Sequence, residues 1–292
     1  MKTYVVTGAT SGIGNSTARL LASTGAVVIG TGRSEERCTL AEQQLRTCTG
    51  NQDVYFLSAD LSQQSQVRRL AFEIKKLLSD MGLQSLDGLV NNAGTFTYWL
   101  ALTADGIETQ WAVNHFAPFL LTYELMPLLL ASHSGRVVTV SSESHYGARI
   151  DWTDVQHCRN YNGLRAYGET KLANILFTLA LNSRAAQDSA VRAFAVDPGL
   201  VNTKIGMKGT PGLVSKVWDL RRRGGTTPEK PATGILYLLL DQALSGSNEI
   251  YWKDCQPKKA SRCACDVDLA SRLWDYSQKI CGIDGGIKNE IA

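Results

Sequence analysis

Several absences bound the reading of this 292-residue sequence. No apolar run approaches the roughly 20 residues that a membrane-spanning helix needs. The longest, 116–131, is interrupted by Pro118 and Pro127 and carries Glu124. No signal-peptide pattern stands ahead of the first β-branched run, 3–7, so the expectation is a cytoplasmic protein without a membrane span. Neither sign of charge dominates. Thirty Lys and Arg against 27 Asp and Glu leave a net charge of +3, too little to argue for nucleic acid or an anionic surface as partner. The one dense basic run, Arg221, Arg222 and Arg223, reads as solvated surface. Seven scattered cysteines are no disulfide framework, and the Cys263-x-Cys265 spacing is not the two-residue gap of common zinc sites. Free thiols and no metal are expected. No repeat, low-complexity tract or linker divides the chain, which reads as one domain over 1–292.

What is present is an alternation of short apolar strands and helical patterns. Strands are predicted at 3–7, 26–31, 54–58, 86–90, 137–140, 191–196 and 249–252. Helices are predicted to Gly25 and over 34–46, 63–79, about 119–130, from Tyr167 onward, 231–240 and 266–280. That order predicts an α/β fold, a Rossmann-type doubly wound parallel sheet. The first strand ends in Gly8-Ala9-Thr10-Ser11-Gly12-Ile13-Gly14. Glycines in such a turn let the backbone approach a pyrophosphate, which rests on the free N–H groups of the following helix. The second strand ends in Gly32-Arg33, with no acid there to take ribose hydroxyls and an Arg able to accept a 2′-phosphate. NADP(H) is therefore preferred over NAD(H). Asp60 lies at the end of the third strand, where side chains face a ligand, and Ser62 can cap the next helix in its place. After the fourth strand come Asn91-Asn92-Ala93-Gly94, small residues beside the cofactor, with the Asn91 amide available to tie neighbouring strands.

The chemistry centres on 136–177. A strand ends in Ser141-Ser142, and Tyr167-Gly168-Glu169-Thr170-Lys171 opens a helix on which Tyr167 and Lys171 share one face. A phenol beside an ammonium, with a hydroxyl at an adjacent strand tip to hold a substrate oxygen, can move a proton on or off an alcohol or carbonyl. Asn114, polar within an apolar helical pattern, needs a partner if buried and could hold a water or bend the helix. His115 reads as structural. The insertion between Ser142 and Tyr167 reads as a loop over the mouth of the site, and Phe96, Tyr98 and Trp99 as pocket wall or core. A glycine-punctuated stretch at about 200–228 reads as a substrate lid.

In these motifs the sequence resembles the short-chain dehydrogenase/reductase family over nearly the whole chain. The turn 7–14, Asn91 to Gly94, the ordered set Asn114, Ser142, Tyr167 and Lys171, and Pro198-Gly199 with Thr203 all match. Within the family it is most similar to the retinol dehydrogenase group, through the long step from Ser142 to Tyr167, the helix run from Tyr167 to Phe177 and the tail segment from Leu269 to Ser277 with its Leu273-Trp274 pair. The resemblance implies Tyr167 as general acid/base, Lys171 lowering its pKa and holding the nicotinamide ribose, Ser142 positioning the substrate oxygen and Asn114 supporting a water-linked proton path. It implies a cofactor site of Gly8, Ser11, Gly12, Ile13, Gly14, Arg33, Asp60, Leu61, Asn91, Ala93, Gly94, Tyr167, Lys171, Pro198, Val201 and Thr203, the last on the nicotinamide carboxamide. The implied reaction is NADP(H)-dependent interconversion of an alcohol and a carbonyl on an apolar, fairly bulky small molecule. A homodimer or tetramer pairing through the helices near Phe119 and Leu176 is also implied. Two other readings stand beside this one: an NAD-dependent secondary-alcohol or steroid dehydrogenase, and a nucleotide-sensing regulator without turnover.

Overall fold

A computed structural model describes residues 1–185, 190–201 and 225–283. The described strands are β1 (Thr3–Val6), β2 (Val27–Gly32), β3 (Val54–Ser58), β4 (Gly88–Asn91), β5 (Arg136–Val140), β6 (Arg192–Val196), β7 (Tyr251–Lys253) and β8 (Gln256–Pro257). They form one sheet in the order β3-β2-β1-β4-β5-β6-β7-β8, parallel up to β7 and antiparallel only between β7 and β8. The helices are α1 (Gly12–Ala22), α2 (Glu35–Thr49), α3 (Gln64–Asp80), α4 (Ala117–Leu130), α5 (Gly163–Ala185), α6 (Glu229–Leu240) and α7 (Val267–Ile280). This is the doubly wound α/β architecture expected. The central strands are short and rich in Val because both faces are covered by helices. Alternation then sends successive residues to opposite layers. Val5, Leu89 and Val137 join the core under α3, α4, α5 and α7, while Tyr4, Val6, Val90, Val138 and Val140 join the core under α1 and α6.

The strand order reverses between β1 and β4, which are neighbours although β2 and β3 intervene in the chain. Such a reversal opens a crevice at the carboxyl ends of the strands. The Gly8–Gly14 turn and the Asn92–Gly94 segment both leave the sheet there.

Four local details go beyond the sequence expectations. Pro118 starts α4 rather than breaking it, since a proline in the first turn gives up no helical N–H. Pro127 lies inside α4, held by buried Leu125, Met126 and Leu129 around it. A π-helical segment, Ala112–Phe116, joins the turn Thr109–Trp111 to α4 and carries Asn114, so the helix is indeed distorted at that residue. The two-residue β8 carries no periodicity that a sequence could display.

On α4 and α5, the helices expected to pair two copies, an apolar patch is packed within the chain. Phe119 and Leu176 are buried, and Trp274 of α7 packs on Phe119 and Phe177 with ring centroids at 4.8 and 6.0 Å. His115 takes part in the same packing: it is buried, its Nε2 is 2.8 Å from Ser277 Oγ, and burial pushes its pKa down to about 3. It is structural. The Lys and Arg residues at 204 and 221–223, Thr203, and most of the expected lid lie outside the described residues. Among the described residues no helix is long and apolar enough to cross a membrane.

Candidate active site

The first wall of the site is the turn after β1. Gly8 and Gly12 have φ of +67° and +58°, left-handed values that favour glycine. Gly14 is a glycine for a different reason. A Cβ there would stand 2.5 Å from the Gly8 carbonyl oxygen and 2.4 Å from Asn92 Nδ2. The turn is fastened from β4 by Asn92, whose Nδ2 donates to Thr7 O at 2.8 Å, while the N–H groups of Asn92 and Ala93 both donate to Thr7 Oγ1 at 3.0 Å. The residue doing this work is Asn92, not Asn91 as expected. Asn91 is buried, and its Nδ2 donates to Thr122 Oγ1 of α4 at 3.0 Å, so its amide ties β4 to a helix. Ser11 precedes α1 with no side-chain cap, and no acid sits in the first turn, leaving the helix N–H groups there available to a phosphate. Gly94 and Ile13 are half-buried beside them.

Arg33 stands exposed directly after β2, and among the described residues its guanidinium has no ion pair or hydrogen bond. Asp60 follows β3 through Ala59, as expected. Its Oδ1 accepts from Ser62 N–H at 3.0 Å, a turn that leads into α3, and Leu61 beside it is half-buried. The Ser62 hydroxyl does not cap α3; Gln63 is the capping residue and makes no side-chain cap. These groups fit a dinucleotide: a glycine cradle, a free helix N-terminus and an unpaired cation at the far end.

The second wall belongs to β5 and α5. Asn162 Oδ1 accepts from Leu164 and Arg165 N–H groups at 3.1 and 3.0 Å, which starts α5 at Gly163 and places Tyr167 in its second turn rather than at its first residue. Gly168 lets the turn carrying Ser142 press on α5 beside Tyr167, since a Cβ at 168 would lie 2.7 Å from Ser144 O. The end of β5 is stitched to the same helix. Ser141 Oγ donates to Lys171 O at 2.7 Å, and Lys171 Nζ and Asn174 Nδ2 each donate to Val140 O at 3.1 Å. Ser142 is half-buried, and its Oγ accepts from Ser144 N–H at 3.2 Å. Asn174 was not among the expected site residues, although it lies seven residues after Tyr167 on the same helix face, which is a readable signal.

Lys171 Nζ lies 5.4 Å from the centroid of the Tyr167 ring. The expected lowering of the phenol pKa is not what this geometry gives. Burial and then the Asp197 charge push Tyr167 up to about 12, and burial pushes Lys171 down to about 8. The ammonium faces the ring and is held by the Val140 carbonyl, so desolvation outweighs its attraction. Asn114 is buried. Its Oδ1 accepts from Thr95 N–H at 2.7 Å, and its Nδ2 donates to Thr95 O at 3.0 Å and Thr170 Oγ1 at 3.1 Å. Both amide hydrogens are taken, so its side chain clamps the segment after β4 to α5 and offers water only its remaining oxygen lone pair.

The loop after β4 contributes Phe96, which is buried and edge-on to Tyr167 with centroids 5.7 Å apart; Trp99 is 68% exposed. The insertion between Ser142 and Tyr167 is pinned down by buried and half-buried polar pairs. His157 Nε2 lies 2.9 Å from Glu169 Oε2, and Tyr161 donates to Glu108 Oε1 at 2.9 Å and meets Thr97 Oγ1 at 2.7 Å. Pro198 and Gly199 follow β6 and are half-buried, and Val201 forms a bridge to Thr226. Thr203 lies outside the described residues.

The family profile for short chain dehydrogenases matches residues 2–212. Human retinol dehydrogenase 11 is 36% identical over 282 residues, covering 97% of this chain and 86% of its own. Bovine dehydrogenase/reductase SDR family member 13 is 36% identical over 292 residues, covering 98% of this chain and 74% of its own. Among solved structures, an uncharacterized protein of Mycobacterium paratuberculosis is 32% identical with a TM-score of 0.73, covering 98% of this chain and 96% of its own. With a tyrosine and lysine on one helix face beside a serine turn, and a glycine cradle at the crevice, the chain belongs to the short-chain dehydrogenase/reductase family, oxidoreductases that act on CH–OH donors with NAD(P).

Proposed function

We propose that this protein interconverts an alcohol and a carbonyl on an apolar, fairly bulky small molecule, in the cytoplasm, with NADP(H) in preference to NAD(H). The observation that carries the reading is the Tyr167–Lys171 face of α5 packed against the Ser142 turn, with Phe96 on the phenol. Bound nicotinamide supplies or accepts the hydride. Ser142 holds the substrate oxygen. Tyr167 gives a proton to that oxygen in reduction and takes one in oxidation. Lys171 sets the charge beside the phenol and binds the nicotinamide ribose. Asn114 fixes the segment after β4 against the helix that carries Tyr167. Exposed, unpaired Arg33 takes the 2′-phosphate, a contact worth roughly 1.5–3 kcal/mol for a charged pair. Phe96 and Tyr98, edge to face at 4.7 Å, make the apolar wall. All seven cysteines are free thiols, in keeping with a reducing compartment.

The test is to follow oxidation of NADPH and of NADH at their absorbance band against a panel of apolar aldehydes and ketones. Faster turnover with NADPH supports both parts of the reading. Equal use of the two cofactors contradicts the role given to Arg33. Tight NADPH binding without turnover on a broad panel contradicts the catalytic reading in favour of a sensor.

A further inference from the structure

Lys258 follows β8, and its ammonium is held by two carboxylates and faced by two tyrosine rings. Glu143 Oε1 lies at 2.6 Å and Asp197 Oδ2 at 2.7 Å. The rings of Tyr146 and Tyr251 face it with centroids at 5.7 and 5.8 Å. The positions of its two carboxylate partners are what matter. Glu143 is the residue after Ser142, and Asp197 is the residue before Pro198, with the Gly199 N–H donating to Asp197 Oδ1 at 2.9 Å. One cation therefore joins the turn that carries the substrate-binding hydroxyl to the turn that follows β6. The Asp197 side chain is only 1% exposed, so its charge is desolvated and in need of a partner. Lys253 reaches the same two carboxylates at longer range, 3.0 Å to Glu143 and 3.6 Å to Asp197.

We propose that Lys258 is a positioning residue of the reaction, locking the Ser142 turn to the turn after β6 and neutralising the buried Asp197 carboxylate. This rests on the reading of Tyr167 as the acid/base. The groups facing Asp197 are Lys253 and Tyr251 on β7, Lys258, and His145 on the 3₁₀ turn Glu143–His145, with Tyr167 on α5. Lys171, on the same helix as Tyr167, faces the phenol. Lys258 is the nearest cation to Asp197, so its removal leaves that carboxylate least compensated and makes the phenol hold its proton more tightly.

The experiment is the pH profile of kcat/KM for alcohol oxidation at saturating NADP, whose positively charged nicotinamide would lower the Tyr167 pKa into an accessible range, so that activity rises as the phenol loses its proton. In the full chain, Lys258→Met should move the midpoint of the rising limb up by roughly half to one pH unit. The plateau should fall about tenfold as the Ser142 turn loosens. Lys258→Arg should restore the midpoint, and Asp197→Asn/Lys258→Met should return it to the wild-type position or below. A Lys258→Met profile with an unmoved midpoint overturns the proposal. Should Lys258→Met fail to fold, Asp197→Asn alone carries the test with opposite sign: the midpoint should move down, and an unmoved midpoint again overturns it. Tyr167→Phe distinguishes the two layers. Full turnover in that variant overturns the acid/base reading itself, whereas an inactive Tyr167→Phe with an unmoved Lys258→Met midpoint overturns only the role of Lys258.

Discussion

The two walls of the site are built on different principles. The wall after β1 and β4 is made of backbone: left-handed glycines, a helix N-terminus without a cap, and an asparagine that braces the turn through main-chain oxygens. The wall after β5, β6 and β7 is made of side chains that depend on one another, from Lys171 on Val140 O to His157 on Glu169 and Lys258 between two carboxylates. A backbone site tolerates little change in its glycines but has few parts. A side-chain site has many parts that lean on one another, and the proton affinities of Tyr167 and Lys171 follow first from burial.

The largest expected effect strikes the second wall. Lys171→Met should lower turnover by about a thousandfold, within the range that proton-transfer catalysis contributes. The same variant tests the buried ammonium thermodynamically. Because Lys171 has a folded pKa of about 8 against an ordinary 10.5, the unfolded chain binds more protons between those values. This side chain therefore makes wild-type stability rise with pH over that window, and the contribution is lost as pH falls through about 8. Urea unfolding at about pH 8 and about pH 10, inside that window, should show a stability difference between wild type and Lys171→Met that grows toward the wild type at the higher pH. A pH-independent difference would count against a buried, destabilised ammonium.

Gly14→Ala is the matching blow to the first wall. With 2.5 Å to the Gly8 oxygen, the added carbon must displace backbone, so stability should fall by about 1–3 kcal/mol and dinucleotide affinity by at least about tenfold. Calorimetric titration with NADPH reads the second quantity. Arg33→Asp comes next: the NADPH/NADH preference should fall by roughly 10–100-fold, with turnover on the better cofactor nearly kept. The smallest effect separates the walls most cleanly. Tyr161→Phe leaves Glu108 without its hydroxyl donor and should lower kcat/KM about tenfold while NADPH affinity stays within about twofold. A loss of NADPH affinity instead would mean that the two walls are mechanically one.

The same division explains which parts of the molecule are legible in its sequence. The alternation of strands and helices, the glycine turn and the Tyr167–Lys171 pairing are legible because each is carried by a local period or a fixed spacing. Asn92 cannot be told from Asn91 in this way, since alternation along a strand decides which one faces the turn, and the pattern leaves the end of β4 uncertain by one residue. The direction of the Tyr167 shift is hidden because burial depends on what packs over the phenol, here Phe96 from a loop far upstream. Lys258 stands 61 residues beyond Asp197, just after a two-residue strand, and no spacing rule connects them. The packing of Trp274 from α7 on Phe119 and Phe177 is equally hidden, because an apolar helix face looks the same whichever segment buries it.

The central claim, that Tyr167 moves the proton while the rest of the site binds, is tested most directly with Tyr167→Phe. NADPH affinity and turnover on the best apolar carbonyl would be measured side by side with wild type. The account predicts unchanged NADPH binding within about twofold and a turnover loss of about a hundredfold or more. Turnover equal to wild type on every accepted carbonyl would contradict it.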